Sequence, residues 1–169
     1  MTKKYFKLKP FILFILSISM LFMCPSIKAT NTTNTVSDAT HKQTIQQYVD
    51  RIKTLQNQIF FLNEYNLQES PKNKSLQSTN LTLANNEIEN LREDITNYLD
   101  TIPSISSQNR DVALAFNSLT FLKNAVYQLI LLQDATTTVE KNQLLQDFYV
   151  FNRLSNDTIN VLDDIISRE

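Results

Sequence analysis

LTLANNEIENLREDITNYLDTI, residues 81–102, is the stretch from which the fold is read. Leu81, Ala84, Ile88, Leu91, Ile95, Tyr98 and Ile102 recur at alternating steps of three and four residues. At 3.6 residues per turn those positions share one helix face, whereas a strand would divide them between both faces of a sheet. Glu87, Glu89, Glu93 and Asp94 fall between them and make the outer surface acidic. Thr79 or Asn80 has the short side-chain oxygen that caps a helix start, and Pro103 pushes the residue before it out of the helical region.

The same rhythm appears upstream. Ile45, Tyr48, Ile52, Leu55, Ile59 and Leu62 form a strict heptad seam and predict a helix over 40–66. The polar run NLQESPKNKSLQSTN, with Pro71, separates the two helices. Downstream, Val112, Ala115, Leu119, Leu122, Val126 and Leu129 mark a third helix over 107–134, widened by Phe116 and Ile130. Leu114, Phe121, Ala125 and Leu132 add a second stripe, so this helix is apolar around most of its girth, as a core helix or one that meets a partner would be. A fourth helix follows Thr137, which with Glu140 makes a capping box. Its expected seam is Leu144, Phe148, Phe151, Thr158, Leu162 and Ile165, with Ser155 and Thr158 as polar interruptions, broadened by Leu145, Leu154, Ile159 and Ile166.

Four long helices with mostly short connections predict an all-α fold, an antiparallel four-helix bundle. The competing architecture is a set of coiled-coil-like helical hairpins, because the first two seams are narrow and the last two faces broad. The chain has no glycine. That removes the glycine-dependent phosphate loop and dinucleotide fingerprint, and it disfavours tight β-hairpins.

Ahead of the helices stand four lysines within the first nine residues, then PFILFILSISMLFMC. A basic start, a short apolar run and a small residue at the exit are the parts of a secretory signal. An apolar helix of about fourteen residues spans roughly 21 Å, against ~30 Å for the hydrocarbon core. We therefore expect residues 1–29 to be a signal peptide cut after Ala29, residues 30–39 a flexible polar leader, and residues 40–169 one helical domain. The alternative is a membrane anchor through residues 11–24. Cys24 is the sole cysteine, and lipidation there is disfavoured by the bulky Leu21, Phe22 and Met23 before it. Without Cys24 the exported chain has no disulfide, which fits a bacterial extracytoplasmic protein better than a small eukaryotic secreted scaffold.

After residue 29 the chain carries eleven Lys and Arg against seventeen Asp and Glu, a net charge of −6. Nucleic-acid binding needs the opposite sign. His41, the single histidine, sits among polar residues beside Lys42 and reads as a solvated side chain. One histidine without cysteines does not make a His-based metal site, and no Glu-x-x-His pair for a di-iron bundle is present. No Gly-x-Ser-x-Gly elbow exists. Glu87 with Glu93 or Asp94, and Asp163 with Asp164, are the candidate carboxylate pairs, and their spacing reads as a solvated acidic face. No catalytic, cofactor-binding or metal residue is expected.

The expected function is therefore that of an exported helical protein acting by protein–protein contact or self-association. Phe60, Phe61 and Tyr65 cluster in the first helix, and Phe148, Tyr149 and Phe151 in the fourth. Adjacent aromatics on a helix point to different sides, so some must leave the seam. Phe61, Tyr65, Leu114, Phe121, Leu132 and Tyr149 are the candidate partner-contact residues. A carboxylate-dependent extracytoplasmic hydrolase and a carrier holding an apolar ligand in the bundle core are the rival readings.

Overall fold

The computed structural model describes residues 36–66, 74–103 and 106–168. Among them are four helices and no strand, consistent with a helical bundle. The helices are α1 (Asp38–Asn66), α2 (Lys74–Leu99), α3 (Ser107–Leu132) and α4 (Thr138–Arg168), and they belong to one compact unit. The expected signal, Cys24, the 11–24 segment and most of the leader lie outside the described residues.

Cross-helix pairs give the chain sense. His41 meets Tyr98 and Arg51 meets Asp94, so numbers rise along α1 as they fall along α2. Lys53 meets Asp163 and Asn63 meets Tyr149, so α4 also runs opposite to α1. Both α1 and α3 pack on all three other helices, whereas α2 and α4 do not touch each other. The closest pairing is α3 with α4. Small residues permit it: Ser118 Oγ donates to the backbone oxygen of Ser155 at 3.0 Å, a side chain of one helix reaching the main chain of the next. The broad apolar girth of α3 is thus largely spent on three internal neighbours.

The core follows the heptad rhythm. Ile45, Ile52, Ile59, Ile88, Leu91, Ile95, Leu119, Leu122, Leu129 and Leu162 are completely buried. Each such side chain contributes roughly 1.5–3 kcal/mol by leaving water. Around them the structure corrects several expectations. In α1 a second column, Val49, Gln56 and Asn63, is buried beside the seam, so its inner face is broader than the apolar residues alone indicate. In α4 the buried column is Phe148, Asn152, Ser155, Ile159, Leu162 and Ile166, again at steps of four and three. Leu144, Phe151, Thr158 and Ile165 stand at its half-buried margin and Leu154 is exposed. Phe148, Ser155 and Leu162 of the expected seam lie in this column, Ile159 and Ile166 come from its expected margin, and Asn152 enters it unannounced because hydrophobicity alone does not mark a buried amide.

Helix boundaries shift for local reasons. The second helix begins at Lys74, before the expected cap, and Thr79 lies inside it with Oγ1 bonded to the Ser75 oxygen at 3.0 Å. It ends at Leu99, four residues before Pro103, where Thr101 and Ile102 amides bond back to Tyr98 and Leu99 in tighter 3₁₀ fashion. Thr137 Oγ1 caps the Glu140 amide at 3.2 Å as expected, but Glu140 reaches the amide of Thr136. Val36, assigned to the flexible leader, packs against the core, and Ser37 caps α1 by accepting from the Thr40 amide at 3.3 Å. No described residue has a positive φ. Where helix ends usually recruit glycine, α3 instead closes through bonds from Gln133 to Ile130 and from Asp134 to Leu131.

Candidate functional site

Two features of the bundle go beyond apolar packing: a set of polar side chains inside it and a set of apolar side chains outside it.

The inner set has three levels. At the first, His41 of α1 is 4 % exposed, and its reading as a solvated side chain is corrected. Its Nδ1 lies 2.8 Å from Tyr98 Oη on α2, and its Nε2 lies 3.3 Å from Asp111 Oδ2 on α3. Neutral imidazole satisfies both contacts, accepting from the phenol and donating to the carboxylate. Asp111 is itself buried, and its Oδ1 accepts from the neighbouring Arg110 guanidinium at 3.0 Å. The His41 and Tyr98 rings stack at 5.8 Å, and Tyr48 meets Tyr98 edge-on at 6.0 Å. Burial pushes both phenols above their ordinary pKa, with the Asp94 carboxylate adding to the effect on Tyr48.

Carboxylate, imidazole and hydroxyl in hydrogen-bonded series is the order of a hydrolytic relay. A general base must nevertheless reach the proton it abstracts on a substrate. Here the imidazole and the carboxylate are buried and the Tyr98 hydroxyl is half-buried, and one imidazole ties α1 to α2 and α3.

At the second level Gln56 Nε2 donates to Ser155 Oγ at 2.8 Å, and Ser118 shares the same hydroxyl at 3.0 Å, joining α1, α4 and α3. At the third, Asn63 Nδ2 donates to Tyr149 Oη at 3.0 Å. The heptad offset carried the signal for part of this set. His41 stands seven residues before Tyr48, and Gln56 and Asn63 repeat the position of Val49.

The candidate carboxylates are dispersed. Glu87 and Glu93 are exposed. Asp94 accepts from Arg51 at 2.8 Å, Asp163 from Lys53 at 2.6 Å, and Asp164 lies 3.8 Å from Arg168. An open depression of about 400 Å³ between α2 and α3 is lined by Glu89, Asn90, Arg92, Glu93, Thr96, Asn97 and Phe116. Its cation is engaged, since Arg92 lies over the Phe116 ring at 4.4 Å and donates to Thr120 at 2.9 Å. No group of three metal-ligating side chains occurs among the described residues, and no described helix is long and apolar enough to cross a membrane.

The outer set is spread over all four helices, with Tyr127, Ile130 and Leu131 exposed near the end of α3 and Val139 at the start of α4, and one group of it lies where α1 ends and α2 begins. Phe60, Phe61, Leu76 and Leu83 are 40 %, 58 %, 63 % and 59 % exposed. Residues 75–86 carry no charged side chain and residues 54–64 carry only Glu64. Tyr149, bonded to Asn63, brings Tyr149 and Val150 of α4 to the same level, both about half exposed.

Of the six expected contact residues, Phe61 and Tyr149 are exposed, while Leu114 and Phe121 are half-buried. Leu132 is in the core at 8 % exposure, so it offers a partner almost no surface. Its heptad relation to Ala125 and Ser118, both buried, is the reason. The Tyr65 side chain lies outside the described residues. Leu76 and Leu83 were missed because they stand off the main seam. No protein-family model, curated protein or solved structure matches the chain.

Proposed function

We propose that this is an exported helical protein whose four helices close as an antiparallel up-down-up-down bundle and whose work is to bind another protein. The cross-helix pairs from α1 to α2 and to α4 support the closed arrangement over separate hairpins. The basic and then apolar opening of the chain supports export. Cleavage after Ala29 leaves an acidic protein that is secreted or extracytoplasmic, without Cys24 and without a nucleic-acid partner.

The observation that carries the binding reading is the coincidence of exposed aromatic and aliphatic side chains with missing charge. Interface centres are depleted of charged residues and enriched in aromatics, and large exposed apolar patches on soluble proteins mark contact sites. Phe61, Leu76 and Leu83 meet both conditions, while Phe60, seven residues from Lys53, turns to the α4 side, and Glu87, Glu89, Glu93 and Asp94 farther along α2 keep that end solvated.

The test is a photo-reactive residue placed at Phe61 or at Val161, followed by irradiation of the protein in its native surroundings. Val161 is exposed but lies between charged neighbours at the far end of α4. A discrete protein adduct from position 61 and none from 161 is the expected result. Equal, diffuse labelling from both would overturn the reading.

A further inference from the structure

We infer that the partner of this surface is a second copy of the chain, docked across a two-fold axis so that Leu76 of each protomer packs on Leu83 of the other. The inference rests on the protein-contact reading above and names its partner.

The Arg51–Asp94 bond fixes which side of α1 faces which side of α2. Helical positions return to the same side after seven, eleven and eighteen residues. From Asp94 those intervals lead back to Leu83 and Leu76, and from Arg51 they lead forward to Gln58 and Leu62. The surface that begins with an ion pair therefore continues into two exposed leucines. Leu76, Thr79, Leu83, Asn86 and Asn90 step three, four, three, four. This is a second heptad stripe on the outer side of α2, uncharged over its whole length, while the apolar seam of the same helix faces the core.

Three properties favour a copy of the same stripe as occupant. Heptad stripes pack against heptad stripes, because each side chain enters the space left by two turns of the facing helix. The domain carries a net negative charge, so a face without charge is one over which a copy meets little repulsion. The acidic residues then select the sense. A parallel pairing would set Glu87, Glu93 and Asp94 of one protomer beside their own copies. An antiparallel pairing centred between Leu76 and Leu83 carries the two acidic halves away from each other. It also brings Leu76 opposite Leu83 twice, as a two-fold contact requires.

The register makes the test specific. Full-length chains carrying Cys24→Ser and either Leu76→Cys or Leu83→Cys are mixed and oxidised. A disulfide needs Cα atoms within about 7 Å, and positions seven residues apart on a helix lie ~10 Å apart along the axis. The expected product is the mixed dimer between the two variants, in several-fold excess over either homodimer. Association driven by any other surface, the apolar 11–24 segment included, does not produce that bias. A mixed dimer no more than twice as abundant as either homodimer, which is the statistical outcome of unbiased pairing, or no dimer at all, would overturn the inference. Sedimentation of the unaltered chain up to about 100 µM is the companion measurement. A mass twice that of one chain is expected, falling to the single-chain mass for Leu83→Lys while helical circular dichroism is retained. A single-chain mass throughout would also overturn it. An adduct from position 61 with a different protein would then leave the contact reading standing without the second copy, and no adduct of any kind would remove both.

Discussion

His41 holds three helices with two ring nitrogens, and the cost of losing it follows from what it leaves behind. In His41→Leu one oxygen of buried Asp111 loses its partner while Arg110 still serves the other, and the half-buried Tyr98 hydroxyl loses one of its partners but keeps Thr44. An unmet buried polar group costs about 1–3 kcal/mol, so urea unfolding should show a loss of that order, mostly from Asp111. Tyr98→Phe should cost clearly less in the His41→Leu background than alone, because the two residues share one bond; additive losses would refute the coupling. The tyrosines set a second expectation. Their folded pKa values lie above the ordinary 10.0 because burial disfavours the phenolate. Above about pH 10 the unfolded chain releases protons that the folded chain retains, so stability present at neutral pH falls as pH rises. The urea midpoint should decline on that alkaline limb, and Tyr48→Phe should make the decline shallower. An unchanged slope would show that Tyr48 does not contribute to it.

At the scale of the elements, α4 is the helix whose start is best defined. The Thr137 hydroxyl takes the Glu140 amide, and Glu140 returns a bond to Thr136. Thr137→Ala should lower stability by about 1 kcal/mol, with Thr137→Ser restoring most of it, as read by thermal or urea melts. The same helix shows how much of the fold could be read in advance. The existence, order and approximate length of all four helices follow from apolar periodicity, because burying one face is what stabilises a helix in a bundle. The inner column of α4 followed only in part: Phe148, Ser155 and Leu162 stand on the expected seam, whereas Asn152 does not. A polar residue enters a core when a partner from another helix meets it, as Gln56 and Ser118 meet Ser155, and periodicity contains no information about that partner. Asp111 is the extreme case: its imidazole comes from seventy residues away. The start of α2 was misread for a related reason. Residues 74–80 are polar enough to resemble a loop, yet their backbone is helical, with Leu76 directed outward rather than into the core.

Across the whole molecule the helices are not equally secured. α3 packs on all three others and most closely on α4, whereas α2 touches only α1 and α3. The first half of α2 presents leucines to solvent and makes its described contacts mainly through Leu81 and Ala84. Local opening free energy tracks the number of buried contacts a segment must give up. Opening α2 first leaves α1, α3 and α4 joined by the Gln56, Ser118 and Ser155 cluster, whereas opening α3 exposes Leu119, Leu122, Val126 and Leu129 at once. Native-state hydrogen exchange should therefore show the amides of residues 78–90 exchanging at a lower free energy than those of residues 115–129. The latter should exchange only through global unfolding, with a denaturant dependence equal to that of the equilibrium melt. The acidic outer surface of α2 adds a salt dependence in a known direction. Arg51–Asp94 at 2.8 Å and Lys123–Glu89 at 2.6 Å tie α2 to α1 and α3, and salt weakens exposed ion pairs of this kind. Raising salt should widen the gap in protection between α2 and α3. A gap that is absent at low salt, or that reverses, would mean that stability is shared evenly around the bundle and that the contact pattern does not govern which helix opens.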